Sequence, residues 1–291
     1  MIRLLVALMW LLHFLPLAAL ARVGRMLGYA AFWLIAERRR VTRINLARCF
    51  PDLQPHEREH LAREHFCAAA RSIVELGLVW WASGERIRRL VRIEGLEHLR
   101  ALGTTPSILF VPHFVGLNIG AARLGSEANC VSMYAAQKDP TLSELLLRGR
   151  HRFGTQTLVS RQEGIRGVIR AMRAGLPFYY LPDQDYGPRD ALFVPFFGVQ
   201  AATVPGLSRI ARMVGARVLP CVTRMLPRGE GYVMTIEPPW ENFPTADIVA
   251  DTRRMNEYIE RKVREMPEQY LWMHKRFKTR PPGEARFYPQ D

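Results

Sequence analysis

The stretch "LFVPHFVGLNIG" (109–120) decides how the middle of the chain folds. An apolar run ends at His113, and a helix is expected to begin near Gly116, so the stretch predicts a strand, a short turn and a helix. This unit is the building block of α/β sheets. A histidine at the end of a strand can also act as a base, provided that a second group holds its ring.

Asn118 is the nearest candidate for that second group. If the strand covers 106–113, residue 118 lies in the first helical turn and can point back at the imidazole. A carboxylate there would accept the Nδ1 proton and leave Nε2 free to take a proton from a substrate hydroxyl. The amide of Asn118 can accept the same proton but has no charge with which to stabilise an imidazolium. Taken alone, His113 is better explained as a packed or capping side chain.

The rest of the chain extends the same pattern. Beyond residue 90, short β-branched or aromatic runs alternate with helical stretches at 140–152, 162–174 and 202–214. We therefore predict an α/β fold, a mixed sheet flanked by helices, in which residues 23–291 form one domain. There is no internal repeat and no linker rich in glycine and serine.

The charge of the chain indicates an anionic partner. Its 291 residues include 41 Lys and Arg against 27 Asp and Glu, a formal net charge of +14. The arginines lie on predicted helices or beside apolar segments and accompany no zinc-finger spacing or RNA-binding signature, so nucleic acid is the weaker candidate. The four cysteines are far apart and form no C-x-x-C pair, which favours a reducing compartment over a metal site or a disulfide framework.

Residues 1–21 are apolar except for Arg3 and His13, and their length suits one bilayer crossing. A cleavable signal peptide has the same composition, but six arginines follow the segment between residues 22 and 43, and the more basic flank stays in the cytoplasm. We predict that residues 1–22 form an uncleaved transmembrane anchor. A second apolar patch, residues 28–36, fits an interfacial segment and a core helix equally well.

Three longer segments indicate a family. The motif "HFVGLN" (113–118) resembles the H-x4-D/E motif of the glycerolipid acyltransferase superfamily. The segments at 174–220, at 267–283 ("PEQYLWMHKRFKTRPPG") and at 45–53 ("NLARCFPDL") resemble one branch of it, the late acyltransferases of lipid A biosynthesis. The resemblance covers essentially the whole chain.

This resemblance implies a function and a location. Enzymes of the branch sit on the bacterial inner membrane, face the cytoplasm, and move a fatty acyl chain from acyl carrier protein onto the hydroxyl of a lipid A precursor. It also implies residue roles: His113 as the base, Asn118 in the position of its acidic partner, and acceptor-binding groups at Arg161, Asp183, Asp185 and Arg189.

Elementary chemistry supports part of this assignment. An acceptor that carries phosphates calls for arginine, whose planar fork pairs with phosphate oxygens, and both Arg161 and Arg189 follow predicted strands. A salt bridge from Arg189 to Asp185 or Asp190 is nearly as good an explanation of that arginine. An acidic acyl carrier protein suits a basic enzyme, and a thioester needs no metal or cofactor for acyl transfer.

Alternatives remain at the level of both function and site. The chain could acylate another glycerolipid or aminolipid, or be a catalytically impaired homologue that binds lipid or acyl carrier protein. Asn118 is compatible with a weakened enzyme, with an inactivating change that traps substrate, or with a carboxylate such as Asp183 or Asp185 reaching His113 from elsewhere. We expect low activity, which Asn118→Asp or Asn118→Glu raises at least about tenfold.

Overall fold

The computed structural model describes residues 2–135 and 139–288. Before the first strand the chain is helical, and afterwards strands and helices alternate. The helices are α1 (Ile2–Leu12), α2 (Leu17–Leu34), α3 (Ala36–Cys49), α4 (Pro55–Val74), α5 (Leu76–Trp81), α6 (Gly84–Leu90), α7 (Leu96–Arg100), α8 (Leu117–Gly125), α9 (Pro140–His151), α10 (Arg166–Arg173), α11 (Gly206–Val214) and α12 (Ile248–Glu265). The strands are β1 (Val91–Glu94), β2 (Ser107–Phe110), β3 (Val131–Tyr134), β4 (Thr157–Ser160), β5 (Phe178–Tyr180), β6 (Leu192–Phe196), β7 (Val199–Thr203), β8 (Arg217–Met225) and β9 (Tyr232–Ile236).

Seven of these strands form the central sheet, in the order β1-β9-β8-β2-β5-β3-β4. Strands β8, β2, β5, β3 and β4 run parallel, while β9 pairs antiparallel with β8. Strands β6 and β7 form a separate antiparallel hairpin. The predicted α/β class and mixed sheet are therefore confirmed.

Strand β2 lies in the middle of this sheet and is buried on both faces. Successive side chains of a strand point to opposite faces, so Ile108 and Phe110 enter one hydrophobic cluster while Leu109 and Val111 enter the other. A parallel strand covered by helices on both sides needs such a continuous apolar run. The run "ILFV" (108–111) supplies it and fixes where the strand ends.

The apolar N-terminal segment is divided between two helices. Helix α1 ends at Leu12 and α2 begins at Leu17, so the predicted anchor, residues 1–22, contains a break next to Pro16. Proline at this position cannot donate the hydrogen bond that would continue the first helix. Over the described ranges, no single helix has both the length and the hydropathy to cross a bilayer; α2 and α3 meet that test only together, as a pair bent by 93°.

Helix α2 is held tightly against α4. A Cβ added at Gly28 would lie 2.4 Å from the Cα of Cys67, and one added at Gly24 would lie 2.4 Å from the Cα of Arg71. Small residues four apart let two helix backbones approach this closely. The patch 28–36 therefore has two faces: Phe32 is fully buried in the core, and Trp33 is largely exposed.

Candidate active site

His113 lies in the loop that follows β2, three residues after the strand ends. Strand β5 runs parallel beside β2, with Phe110 opposite Tyr180, and the backbone N–H of Val111 extends the pairing by donating to the Tyr180 carbonyl at 2.8 Å. Parallel strands deliver the loops at their carboxyl ends to one edge of the sheet. The loop after β5 contains Asp183, which is consequently placed beside His113.

Two hydrogen bonds join these residues. The imidazole Nδ1 of His113 lies 2.6 Å from Oδ1 of Asp183, and the backbone N–H of His113 donates to Oδ2 at 2.9 Å. Because an ionised carboxylate only accepts, Nδ1 carries the proton and Nε2 has a free lone pair. This is the arrangement of a general base held by a carboxylate.

The two side chains differ in exposure. The Asp183 side chain is 1 % exposed and the His113 side chain is 16 % exposed. The carboxylate is therefore shielded from solvent, whereas the imidazole ring is partly accessible to it. Burial by itself raises the pKa of Asp183, but the charge of His113 and its two hydrogen bonds bring that pKa below its ordinary value. The carboxylate therefore stays charged near neutral pH and remains an acceptor for the Nδ1 proton.

Asn118 does not hold His113 in this structure; the alternative given above, a carboxylate such as Asp183 reaching the ring from elsewhere in the fold, is what the geometry shows. Asp183 already occupies Nδ1, and in the part of the chain that the structure describes no hydrogen bond joins Asn118 to the ring. Asn118 lies in the first turn of α8, as expected, but lines an apolar cavity. Helix α8 begins where the spacing predicts. The partner of His113 nevertheless comes from the loop after the neighbouring strand β5, not from the first turn of α8.

Asp185 serves the loop itself. Its carboxylate accepts hydrogen bonds from the backbone N–H of Thr279 at 2.7 Å, from the Thr279 hydroxyl at 2.8 Å and from the N–H of Gly187 at 2.9 Å. The N–H of Asp185 donates to Nε2 of His274 at 3.1 Å. These bonds use the oxygens of Asp185 inside the protein, so the predicted contact with the acceptor has no support from the geometry.

The segment 267–283 packs against the His113–Asp183 pair and supports it, a role that the sequence did not indicate. Phe114, next to His113, forms a β-bridge with Tyr270, and the buried Tyr270 side chain lies beside Asp183, whose charge adds to burial in raising the tyrosine pKa. Asn45 donates to the carbonyls of Trp272 and His274 at 2.8 and 2.9 Å. The sequence signal for this role was the length of the resemblance at 267–283 and 45–53.

His113 opens onto a groove of about 430 Å³, here called the catalytic groove. Arg161, at the carboxyl end of β4, also lines it, and its guanidinium lies 4.4 Å from the centre of the Tyr186 ring. Arg189 does not line this groove. It is 95 % exposed and has its nearest acidic neighbour, Asp190, at 3.9 Å. The structure thus brings Arg161, but not Arg189, to the site of His113.

A narrow apolar cavity of about 90 Å³ adjoins the groove. Five residues line both spaces: Met133, Leu146, Arg150, Tyr179 and Leu181. Arg150 is the single charged side chain among those that line the cavity, and its buried Nη1 has no hydrogen-bond partner among the described residues. Burial lowers the pKa of this arginine. A buried guanidinium nitrogen without a partner is costly for folding, which makes Arg150 a candidate functional residue.

A strand-end imidazole held by a buried carboxylate and open to a groove is an arrangement typical of an enzyme site with a general base. Comparison with known sequences gives the family. Residues 1–279 match the model of the bacterial lipid A biosynthesis acyltransferases. The chain belongs to this family and is an acyltransferase, which confirms the resemblance of its separate segments.

Several relatives from Escherichia coli (strain K12) match nearly the whole chain. The lipid A biosynthesis lauroyltransferase is 35% identical over 97% of this chain and 93% of its own length. The palmitoleoyltransferase is 33% identical over 96% of this chain and 92% of its own. The myristoyltransferase is 34% identical over 92% and 83%, respectively. Relatives that differ in the acyl group they are named for are thus about equally similar to this chain.

We predict that Asp183→Asn lowers kcat by about ten-thousandfold, because the amide loses the charge and favours the wrong imidazole tautomer. His113→Ala should cost roughly a hundredfold to ten-thousandfold, the usual contribution of a general base. Asn118→Ala is the matched control and should retain kcat within a factor of about three, since it removes no hydrogen bond to the ring. Steady-state kinetics on the three folded variants measure this.

Addition of Asn118→Asp to this series tests the earlier expectation for position 118. A tenfold gain on Asn118→Asp, together with a small loss on Asp183→Asn, would return the orienting role to residue 118. A drop in kcat on Asn118→Ala as large as that on Asp183→Asn would have the same meaning.

Proposed function

We propose that this acyltransferase moves a fatty acyl chain from an acyl carrier protein thioester onto a hydroxyl of a lipid A precursor. The observation that carries the proposal is the His113–Asp183 pair, which opens onto a groove adjoining an apolar cavity. Such a site offers a base for the acceptor hydroxyl and a dry channel for hydrocarbon, the two things that the reaction requires.

The chemistry balances with these groups alone. The acceptor hydroxyl donates its proton to Nε2 of His113 while its oxygen attacks the thioester carbonyl carbon. The carbon–oxygen bond forms, the tetrahedral intermediate collapses, and the carbon–sulfur bond breaks. The imidazolium then returns the proton to the departing thiolate, which leaves as the free thiol. Asp183 keeps its charge throughout and stabilises the imidazolium.

Arg150 is suited to the charge that forms on the carbonyl oxygen. If the acyl tail occupies the apolar cavity and the acceptor occupies the catalytic groove, the thioester carbonyl lies where the two spaces meet. Arg150 lines both spaces and has an unused N–H group. A donor that waits at the position of the developing oxyanion lowers the barrier because it needs no reorganisation.

Arg161 is suited to an acceptor phosphate. It lines the catalytic groove together with His113, it is exposed, and its fork can pair with two phosphate oxygens. The stacking of its guanidinium on Tyr186 leaves the edge of the fork free for such a contact. The carboxylate oxygens of Asp183 and Asp185, by contrast, accept hydrogen bonds from within the protein. The acceptor is therefore bound mainly by positively charged side chains.

The experiment that tests the proposal is a defined acyl-transfer assay. The purified protein should convert an acyl carrier protein thioester and a lipid A precursor into a product heavier by one acyl chain, as measured by mass spectrometry. Because both proteins would associate by opposite charge, the initial rate at low donor concentration should fall as salt is raised from about 50 to 200 mM.

Three results would contradict this assignment. Equal turnover of a coenzyme A thioester, with no dependence on salt, would remove acyl carrier protein as the donor. Preferred acylation of another glycerolipid or aminolipid in direct competition would replace the acceptor. Binding of both substrates without turnover would indicate a catalytically impaired homologue instead.

We predict different kinetic losses for the two arginines. Arg150→Met should lower kcat by about a hundredfold to a thousandfold with little change in either KM, because the missing donor acts in the transition state. Arg161→Met should raise the acceptor KM by about tenfold and leave the donor KM unchanged. Arg148→Met, on the same helix as Arg150 but exposed, is the control.

Separate measurement of kcat and of the two KM values distinguishes a transition-state role from substrate binding for each arginine. A rise in donor KM with unchanged kcat in Arg150→Met would assign that arginine to ground-state binding. A matching rise of the acceptor KM in Arg189→Met, the exposed arginine outside the groove, would extend the phosphate site to the loop after β5.

We further propose that the enzyme works at the bacterial inner membrane, anchored through residues 1–22, with its catalytic domain in the cytoplasm. Support comes from the exposed apolar side chains of α1, of α2 and of the turn between them, among them Leu4, Trp10, Phe14 and Trp33, and from the arginines that follow the segment. Protease added outside spheroplasts should leave the domain intact. Digestion from outside, or a mature chain starting near residue 22, would contradict this topology.

A further inference from the structure

A second groove lies away from His113, between α2 and α4. We call it the α2–α4 groove; its volume is about 930 Å³. Its remaining walls are the end of β8 with the turn Pro227–Gly229, and the region around the turn Pro267–Gln269. The charged residues that line it are five arginines and three glutamates: Arg22, Arg25, Arg71, Arg224, Arg228, Glu64, Glu265 and Glu268. None of these side chains has a role in the acyl transfer derived above.

The glutamates of the groove are already engaged. Glu64 accepts two hydrogen bonds from Arg25 at 2.8 Å, and Glu265 accepts one from Arg224 at 3.2 Å. Glu268 accepts from Gln269 at 2.9 Å. Three arginines are left to consider: Arg22, Arg71 and Arg228.

Arg71 lies in the groove wall and is 6% exposed. Its Nε donates to Glu75 at 2.6 Å and its Nη1 to the Leu226 carbonyl at 2.8 Å. Its Nη2, also buried, has no hydrogen-bond partner among the described residues. Buried donors are almost always satisfied in folded proteins, so this unused guanidinium nitrogen indicates an oxygen that arrives from outside the chain.

Arg22 and Arg228 both line the groove, Arg22 from α2 and Arg228 from the turn that contacts α2. The turn that carries Arg228 is pressed against α2, since a Cβ on the adjacent Gly229 would lie 2.5 Å from the Cα of Ala18. Ala18 and Arg22 are one helical turn apart on the same face of α2. Both arginines are exposed, and neither has an acidic partner among the residues that the structure describes.

The same face of α2 continues into apolar surface. Met26, Tyr29 and Trp33 follow Arg22 at helical spacing, and they are 72%, 40% and 61% exposed. A helix with aromatic and aliphatic side chains on one exposed face lies in the membrane interface with that face inserted. Arg22 and the mouth of the groove would then stand at the depth of the lipid phosphates.

We propose that the α2–α4 groove binds the phosphate headgroup of an anionic phospholipid of the surrounding membrane. The phosphate lies between Arg22 and Arg228 and supplies an oxygen to Nη2 of Arg71, while the acyl chains of the lipid run along Met26, Tyr29 and Trp33. The groove therefore docks the enzyme at a fixed orientation on the membrane. The proposal rests on the proposed membrane association but not on the identity of donor or acceptor.

Vesicle sedimentation of the full-length protein tests the site. The probes are vesicles of phosphatidylcholine alone and vesicles that also contain about one-third phosphatidylglycerol. The paired change Arg22→Ala with Arg228→Ala should weaken binding to the anionic vesicles about thirtyfold, which is the effect of two arginines at an anionic surface. The matched control is Arg170→Ala with Arg173→Ala, which removes the same charge from exposed positions on α10 and should change binding less than about threefold.

The design separates this site from the acyl-transfer proposal. Acyl transfer in detergent micelles should be unchanged in the Arg22→Ala, Arg228→Ala protein, because neither residue lines the catalytic groove. Equal loss of binding in both paired variants would show only a general effect of net charge and overturn the site. Equal binding of the parent protein to both vesicles would also overturn it. Thermal stabilisation by inorganic phosphate as large as that by the anionic vesicles would replace the lipid by a free anion.

Discussion

The hydrogen-bonded contact between His113 and Asp183 is the constraint on which the rest of the site depends. It exists because β2 and β5 are paired in register, with Phe110 opposite Tyr180, and because each functional residue stands three positions beyond its member of that pair. A change in the length of either loop by one residue would separate the two side chains. The packing of β2 on both faces favours this register, since a one-residue slip would move Ile108 and Phe110 into the cluster that now packs Leu109 and Val111.

A buried carboxylate needs more than one partner. Removing Asp183 from water is costly, and the two hydrogen bonds of His113 offset that cost only while the ring stays in place. The segment 267–283 keeps it there: its backbone bridges to Phe114, the Tyr270 side chain lies beside the carboxylate, and Thr279 holds the loop through Asp185. Three regions far apart in sequence thus form one support, which explains why similarity to the family extends over all of them.

The local half of this arrangement could be predicted from the sequence, whereas the long-range half could not. The apolar run before His113 and the glycine after it predict a strand, a turn and a helix, and all three are present, although the strand ends at Phe110 instead of His113. The partner of His113 depends on which strand lies beside β2. Two strands and three α-helices intervene in the chain between β2 and β5, and nothing in a single sequence states the order of the strands in the sheet. The pattern therefore favoured Asn118, the near neighbour, over Asp183.

The N-terminal helices illustrate a similar limit, because hydropathy does not distinguish a helix surrounded by lipid from one packed on protein. Gly24 and Gly28 make this distinction for α2, because small residues at this spacing indicate close contact with another helix, here α4. The apolar residues of α2 that remain exposed then point away from the domain, on the side opposite that contact. A half-buried helix of this kind can bind a membrane surface while remaining part of the folded domain.

An amide at residue 118 is consistent with the rest of the site. Once Asp183 holds Nδ1, a second carboxylate next to the apolar cavity would have to be desolvated without serving the ring. It would also lie in the cavity that Arg150 lines, where it could neutralise the guanidinium. Asn118 is polar but uncharged, so Arg150 remains the single positive charge among the residues lining that cavity. In the proposed reaction, Arg150 would stabilise the negative charge that forms at the junction with the catalytic groove.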